Sequence, residues 1–296
     1  MLIFLKFKQS LRILNAPPTK LKGYKYISEI KVEIMKFKKS FVVINENGLR
    51  YKFKIALSKI LGKRISNFAY INELFNDKYG LEIGGPSKIF RIEGLIPLYN
   101  IVRGLDGCNF SNNTIWEGNI NSGETYNYHK GTKGIQYISE ATNLSFIPNS
   151  KYEFVISSNC LEHIANPLKA IEEWIRVIKK DGLLLLVLPK KEYCFDHNRP
   201  VTEFSHLFKD FQNKITEDDL THLHEILELH DLKRDKRAGN MEQFMERSKN
   251  NYKNRALHHH IFDIDTLKEI FSYFNMEVLL TSQKREYVIV GKKIVA

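Results

Sequence analysis

Residues 152–189 read YEFVISSNCLEHIANPLKAIEEWIRVIKKDGLLLLVLP, and this stretch decides the fold. YEFVISSN is a short apolar run of the kind that forms a strand. Behind it, Leu161, Ile164, Leu168, Ile171, Ile175 and Ile178 step by three and four, which lines up one buried face of a helix. Asn166 is placed to cap that helix, Pro167 suits its first position, and Asp181-Gly182 marks its end. LLLLVLP has no polar face, as expected of a central parallel strand covered on both sides. Strand, helix and buried strand in that order predict an α/β sheet.

Working outward, YGLEIGG (79–85) reads as a first strand, YNIVRGLDG (99–107) as a second and IQYISEA (135–141) as a third. YEFVISSN is then the fourth and LLLLVLP the fifth. DIDTLKEIFSYFN (263–275) reads as a helix with Leu267, Ile270, Phe271 and Phe274 inward, followed by a final strand pair, MEVLLTS and REYVIVGKK. The prediction is a doubly wound, mostly parallel seven-stranded sheet over residues 77–296. Residues 190–261 form an insertion after the fifth strand. It is polar, helical in places (TEDDLTHLHEILEL, 216–229) and rich in His. An insertion at a strand's carboxyl end sits where open α/β sheets bind ligands.

The 296-residue chain carries a net charge of +11, unevenly spread. Residues 1–76 hold sixteen Lys/Arg against four acids, so the basic character belongs to an N-terminal extension and the rest is close to neutral. Within that extension, residues 1–14 fit a basic amphipathic helix with Phe7, Leu11 and Leu14 on one face, suited either to packing on the main domain or to an anionic membrane surface. A hairpin is expected around the turn-like NENG (45–48), and ALSKILGKRISNFAYINELF (56–75) reads as one or two helices. The three cysteines, Cys108, Cys160 and Cys194, fit no zinc or redox spacing and suggest a reducing compartment. No apolar run approaches the roughly 18 residues of a membrane span. A cytoplasmic protein is expected, with peripheral contact to the inner membrane face through the basic extension.

The chemistry gathers at the carboxyl ends of the strands. After the first strand, a glycine pair lets the backbone bend close to a ligand, and a following helix N-terminus would add N–H donors. Asp106, at the end of the second strand, can accept hydrogen bonds from both hydroxyls of a ribose, and Glu140, after the third, can reach an adenine edge. The backbone of SSNCLEHI lines the same crevice.

Taken together, LEIGG, GLD, SEATNLSFIPNS and the 152–189 stretch resemble the class I S-adenosylmethionine-dependent methyltransferases, in the branch of small-molecule enzymes with a Leu-Glu-His motif after the fourth strand. The resemblance implies S-adenosylmethionine as cofactor, with contacts from Glu82, Gly84, Gly85 and Ser87, Asp106 on the ribose, Glu140 near the adenine, and Ser157, Ser158 and Asn159 beside it. It places His163 at the mouth of the site. The chain departs from the family's Glu-x-Gly-x-Gly-x-Gly pattern, because Pro86 and Lys88 stand where glycine is usual. Pro86 removes an N–H donor and fixes φ, so the turn is where a difference from the family is expected.

Methyl transfer from a sulfonium is an in-line displacement that needs an aligned nucleophile and a dry site. For a hydroxyl nucleophile a histidine base suits neutral pH. His163 is the first candidate, its other role being a hydrogen bond that holds the loop. YCFDHNRPVT (193–202) follows the fifth strand, so Asp196 and His197 are further catalytic candidates, with Tyr193 and Arg199 placed for substrate. ALHHHIFD (256–263) brings His258, His259 and His260 to the start of a late helix. All three cannot face one site on an extended chain, and His259 and His260 are taken as substrate-facing. A metal would need another ligand, His197 being considered; no metal site is assigned.

The Asn/Asp-Pro-Pro-aromatic motif of base-amino methyltransferases is replaced by Ser158-Asn159-Cys160-Leu161, and no aromatic and basic stripe for RNA runs through the catalytic region. Nucleic acid is disfavoured as acceptor. FDHNRPVT and LHHHIFD resemble segments of methyltransferases from surface-polysaccharide synthesis, which implies O-methylation of a small molecule, or of a sugar in a glycan or glycolipid precursor. Two rivals stand beside this: an RNA methyltransferase gripping phosphates with the basic arm, and a non-catalytic module that keeps the fold.

Overall fold

LLLLVLP is covered on both faces, and the alternation of its side chains shows how. Leu184, Leu186 and Leu188 join one apolar cluster, with Val155, Leu168, Ile171, Trp174, Leu267 and Phe271. Leu183, Leu185 and Val187 turn the other way, against Phe154, Ile156, Phe75, Phe90 and Val288. Each fully buried leucine contributes about 1.5–3 kcal/mol, so this strand anchors two layers at once.

The computed structural model describes residues 64–294 apart from residue 130. The amphipathic helix expected at 1–14, the hairpin around 45–48 and the first part of the helical stretch from 56 lie outside the described residues. In chain order the elements are α1 (Phe68–Phe75), β1 (Tyr79–Ile83), β2 (Gly104–Asn109), β3 (Asn113–Thr114), β4 (Gly118–Asn119), β5 (Gly123–His129), β6 (Thr132–Ile138), β7 (Tyr152–Ser158), α2 (Pro167–Val177) and β8 (Ile178–Pro189). There follow α3 (Phe204–Gln212), α4 (Leu223–Leu229), α5 (Met241–Lys249), α6 (Asn251–Asn254), α7 (Ile264–Tyr273), β9 (Met276–Ser282) and β10 (Glu286–Lys293).

The main sheet has the order β5-β6-β2-β1-β7-β8-β10-β9. β6, β2, β1, β7 and β8 are parallel to their neighbours, while β5, β9 and β10 pair antiparallel at the edges. From β1 the chain first winds toward β2 and β6, then returns to the other side with β7 and β8. That reversal opens a crevice beyond the carboxyl ends of β1 and β7, the usual ligand position in such sheets. The sheet has eight strands where seven were expected, because β5 adds an antiparallel edge strand. Of GETYNYH only Tyr126 and Tyr128 are buried, too few to announce a strand by apolar content.

α2 forms as its spacing predicts. The Asn166 side chain accepts from the Lys169 N–H, and Pro167 occupies the first turn. The helix ends at Val177, earlier than Asp181-Gly182 suggested. That dipeptide instead sits inside β8, where Ile178 pairs with Tyr152 and Leu183 with Phe154, and the extra residues make a bulge with Asp181 at φ 59°. α2 also fixes the loop between β6 and β7. Trp174 Nε1 donates to the Ala141 carbonyl, Arg176 donates to those of Leu144 and Ile147, and Glu173 accepts from the Leu144 N–H. At the amino end, Ile71 and Phe75 of α1 are buried, and the Phe75 ring meets Phe154 edge-on at 5.2 Å. The boundary expected at 77 therefore cuts through packed core.

Two-faced burial of β8 gives a direct test. Leu185→Ala and Leu186→Ala, which face opposite layers, should each cost about 2–5 kcal/mol in urea unfolding. A strand with one exposed face would lose that much at only one of the two positions.

Candidate active site

The turn after β1 is held from below by a buried carboxylate. Glu82 has no exposed surface; its Oε1 accepts from the Ser87 N–H at 2.9 Å, and its Oε2 accepts from the hydroxyls of Tyr99 and Tyr126 at 2.7 and 2.6 Å. Burial raises its pKa, and these donors act against that rise. Glu82 thus braces the turn and does not line the cleft, unlike the contact expected for it. Gly84 has φ 79°, a left-handed backbone that glycine accepts without strain. A Cβ on Gly85 would lie 2.2 Å from the Glu82 carboxyl carbon and 2.3 Å from the Tyr126 hydroxyl, so this position has no room for a side chain.

The expected helix N-terminus does not follow the turn. After the cis Gly85–Pro86 peptide the chain makes only a three-residue 3₁₀ turn, Lys88–Phe90, and the Ser87 N–H is spent on Glu82. Pro86 and Ser87 thus stand at the wall of the turn, with Lys88 opening the 3₁₀ turn.

A cleft of about 780 Å³ opens above this turn. Its sheet side is formed by Gly84, Pro86 and Ser87, by Asn109 at the end of β2 and Phe110 after it, by Ser139 and Glu140 after β6, and by Ser158 at the end of β7 with Asn159, Glu162 and His163 beyond it. The insertion closes the other side with Phe195, Glu217, Asp235, Arg237, Arg247, Arg255 and His258. Arg255 joins the two halves, with Nη2 2.6 Å from Glu140 Oε1 and Nη1 2.5 Å from Glu217 Oε2. Glu140 is thus at the cleft, with Arg255 as its partner.

Asp106 is not in the cleft. β2 continues past it to Asn109, so Asp106 lies within the sheet, fully buried. Its Oδ1 accepts from the Ile135 N–H and its Oδ2 from the Tyr152 hydroxyl. Asn109 takes the strand-end position and donates through Nδ2 to the Gly85 carbonyl. Ser157 is also inside, its hydroxyl donating to the Ile83 carbonyl and tying β7 to β1.

On the insertion side the sequence candidates separate. Asp196 is 1% exposed, with Oδ2 2.5 Å from His258 Nδ1; it stands behind His258 and away from the cleft itself. Arg199, equally buried, donates to Glu225 and to the carbonyls of His258 and His259 and pairs with Asp196. It ties the insertion together and does not line the cleft. His197 contacts Asp231 at 3.0 Å outside the cleft, and Tyr193 is 71% exposed. His259 is buried, its Nε2 accepting from the Asn251 amide, and burial brings it down to about 4. His260 is buried with Nε2 3.1 Å from the Ala165 carbonyl. Neither lines the cleft, because the three adjacent histidines diverge into separate environments.

Glu162, His163 and His258 converge in the cleft instead. His163 Nδ1 is 2.9 Å from the Leu257 carbonyl, and its ring lies edge-on to His258 at 4.5 Å and to Trp116 at 5.1 Å. Burial and the neighbouring His258 hold His163 well below the usual imidazole range, so it is neutral. Burial also works against a charged His258, but Asp196 and Glu162 outweigh it and its pKa is raised. With Nδ1 turned to Asp196, Nε2 is the ring atom left to the cleft. Glu162 is 2% exposed, and neither of its carboxylate oxygens has a partner. An orphaned buried carboxylate at a cleft wall is a site for a ligand's donor. The three residues bring ligand atoms within 4.8 Å of one another, so a divalent cation would also fit them. Sequence reasoning assigns neither Glu162 nor His258 to the site; the adjacency of Glu162 to His163 was the available signal.

A model of the methyltransferase-domain family matches residues 65–281. No curated protein matches the chain. Similar solved structures include a SAM-dependent methyltransferase from Aquifex aeolicus, at 13% identity over 81% of this chain and 98% of that one, with a TM-score of 0.40. Another, from Methanosarcina mazei, shows 16% identity over 77% and 98%, with a TM-score of 0.39. Both are too distant to bear on the site.

The Asp106 geometry has a checkable consequence. Asp106→Ala should cost about 1–3 kcal/mol of stability by stranding the Ile135 N–H and the Tyr152 hydroxyl, while calorimetry on the folded variant gives an unchanged cofactor affinity. Gly85→Ala should lower both stability and cofactor affinity, because its Cβ would meet the Glu82 carboxyl and the Tyr126 hydroxyl that brace the turn. Glu162 predicts a pH signature. Burial pushes its carboxyl from 4.5 up to about 7. The folded chain then keeps a proton that the unfolded chain releases, so this group's contribution is full below its unfolded pKa and is lost as pH rises toward 7. Glu162→Gln, neutral throughout, should melt above the parent at about pH 8, with the gap closing near pH 5.

Proposed function

The chain belongs to the methyltransferase-domain family, and from that premise we propose that it transfers the methyl group of S-adenosylmethionine to a hydroxyl of an anionic acceptor, a sugar of a glycan or glycolipid precursor. The observation that carries this reading is the His258–Asp196 pair, 2.5 Å apart, with His258 at the cleft wall. The cofactor supplies an electrophilic methyl group. The residues fit it on the sheet side: the Gly84 turn admits close approach, and Asn109, Glu140, Ser158 and Asn159 stand at successive strand ends along the cleft.

On the insertion side, His258 takes the proton from the acceptor hydroxyl through Nε2, and Asp196 steadies the imidazolium that results. Glu162 accepts a hydrogen bond from a neighbouring hydroxyl of the acceptor and so positions the reacting oxygen before transfer. His163, neutral and packed between Trp116 and His258, orients the His258 ring and keeps that wall dry. Arg91, Arg237 and Arg285 are exposed where they line the cleft, a rim suited to phosphate or carboxylate on the acceptor. The basic composition of residues 1–76 supports an acceptor held at an anionic membrane surface. Among the described residues, no helix is long and apolar enough to cross a membrane.

A labelled-methyl assay against membrane glycolipids, soluble sugar phosphates and RNA tests the acceptor class. Label in the glycolipid or sugar fraction is expected, and label confined to RNA sinks the proposal. His258→Gln should lower turnover by about 10²–10⁴, with cofactor affinity within about twofold. Asp196→Asn should lower it less and shift its pH profile.

A further inference from the structure

Beyond the cleft, on α3, lies a second group of histidines that the methyl-transfer reading does not use. His206 and Asp210 stand one helical turn apart on α3, so their side chains share a face. His222, just before α4, and His260 meet them there. His206 Nε2 is 3.1 Å from His222 Nε2 and 3.2 Å from Asp210 Oδ2. One ligand atom from each of the four residues lies within 4.8 Å of the others.

We propose that His206, Asp210, His222 and His260 form a zinc site that ties α3, the approach to α4 and the 258–260 segment together. Zinc bonds imidazole nitrogen and carboxylate oxygen at about 2.0–2.2 Å, and the edges of that tetrahedron are about 3.3 Å. The separations of 3.1 and 3.2 Å match those edges. They are not both explained by hydrogen bonding, because a neutral His206 has a single Nε2 to share between a second imidazole and a carboxylate.

His260 supplies the independent observation. Its side chain is 1% exposed, its Nε2 lies 3.1 Å from the Ala165 carbonyl, and its Nδ1 is buried without a partner. Nε2 is also the ring nitrogen nearest the Asp210 carboxylate, 3.6 Å from its Oδ2, so His260 faces the group with a nitrogen that no protein carboxylate or amide holds tightly. Three imidazoles and one carboxylate favour zinc over the hard cations magnesium and calcium, and four protein ligands make a closed, structural site. His206 is half-exposed and gives the ion a way in. The sequence signal was His206-x-x-x-Asp210 on one helix face, with the histidine run as the distant partner; His197, the ligand first considered, is on Asp231 instead.

The test uses the full chain purified without a histidine tag. Elemental analysis should find about one zinc per chain, and the chelated protein should take up about one equivalent of Zn²⁺ in competition with a chromophoric chelator. Co²⁺ in its place should give the visible bands of tetrahedral coordination. His206→Ala and His222→Ala, both on the open side and checked for folding by circular dichroism, should each lose the bound equivalent. Glu162→Gln should keep it. A folded parent chain that takes up less than about a tenth of an equivalent overturns the site. So does an ion that survives both histidine variants and leaves with Glu162→Gln, which would belong to the cleft.

Discussion

The turn at the floor of the cleft depends on one buried carboxylate. Stripping water from Glu82 would cost several kcal/mol if its oxygens went unmatched. Three donors meet them: the Ser87 N–H from the turn, Tyr99 from the connection after it, and Tyr126 from the edge strand β5. The same contacts that make the burial tolerable fix the path of residues 84–87. They also explain why β5 belongs to the fold although its sequence scarcely marks it, since Tyr126 must reach across to Glu82. The family's run of glycines solves the problem of close approach with bare backbone. This chain solves it with Gly84, Gly85 and a carboxylate brace, and can therefore place Pro86 and Ser87 at the wall.

The insertion meets the opposite problem. Its apolar cluster is small, built on Ile226, Ala238, Phe244 and Leu257, so polar groups must do much of the holding. Arg199 stitches Glu225, Asp196 and two carbonyls, and Arg255 bridges Glu140 and Glu217 across the cleft. Buried pairs of this kind contribute little net stability, but losing one partner is costly. They hold a segment in one arrangement, which is what a cleft wall carrying His258 requires.

This contrast explains what the sequence could show. The parallel strands were legible as short continuous apolar runs, and α2 and α7 because burial imposes a period of about 3.6 on apolar residues. The residues along the sheet side of the cleft, Gly84, Ser87, Glu140, Ser158, Asn159 and His163, were legible because strand ends place them in order. Asp106 misled because a strand boundary three residues off moves an acid from the cleft into the sheet. The insertion was opaque for a different reason. Its buried residues are Arg, Asp and His, which in a sequence look like solvated surface. No periodicity separates Arg199, closed in on every side, from an arginine waiting for a substrate.

The divergence of the three adjacent histidines shows how closely the two halves are coupled. The His259 N–H donates to the Glu162 carbonyl, and His260 lies against the Ala165 carbonyl, so the 258–260 segment is sewn to the loop that follows β7. His258 and Glu162 therefore keep their spacing when the insertion shifts as a body. Were His258 carried on an exposed helix of the insertion, its distance from Glu162 would vary with every movement of that helix. A misplacement of about 1 Å can cost two orders of magnitude in rate. Anchoring one short segment to the loop after β7 at two backbone carbonyls keeps His258 and Glu162 in register whatever the rest of the insertion does.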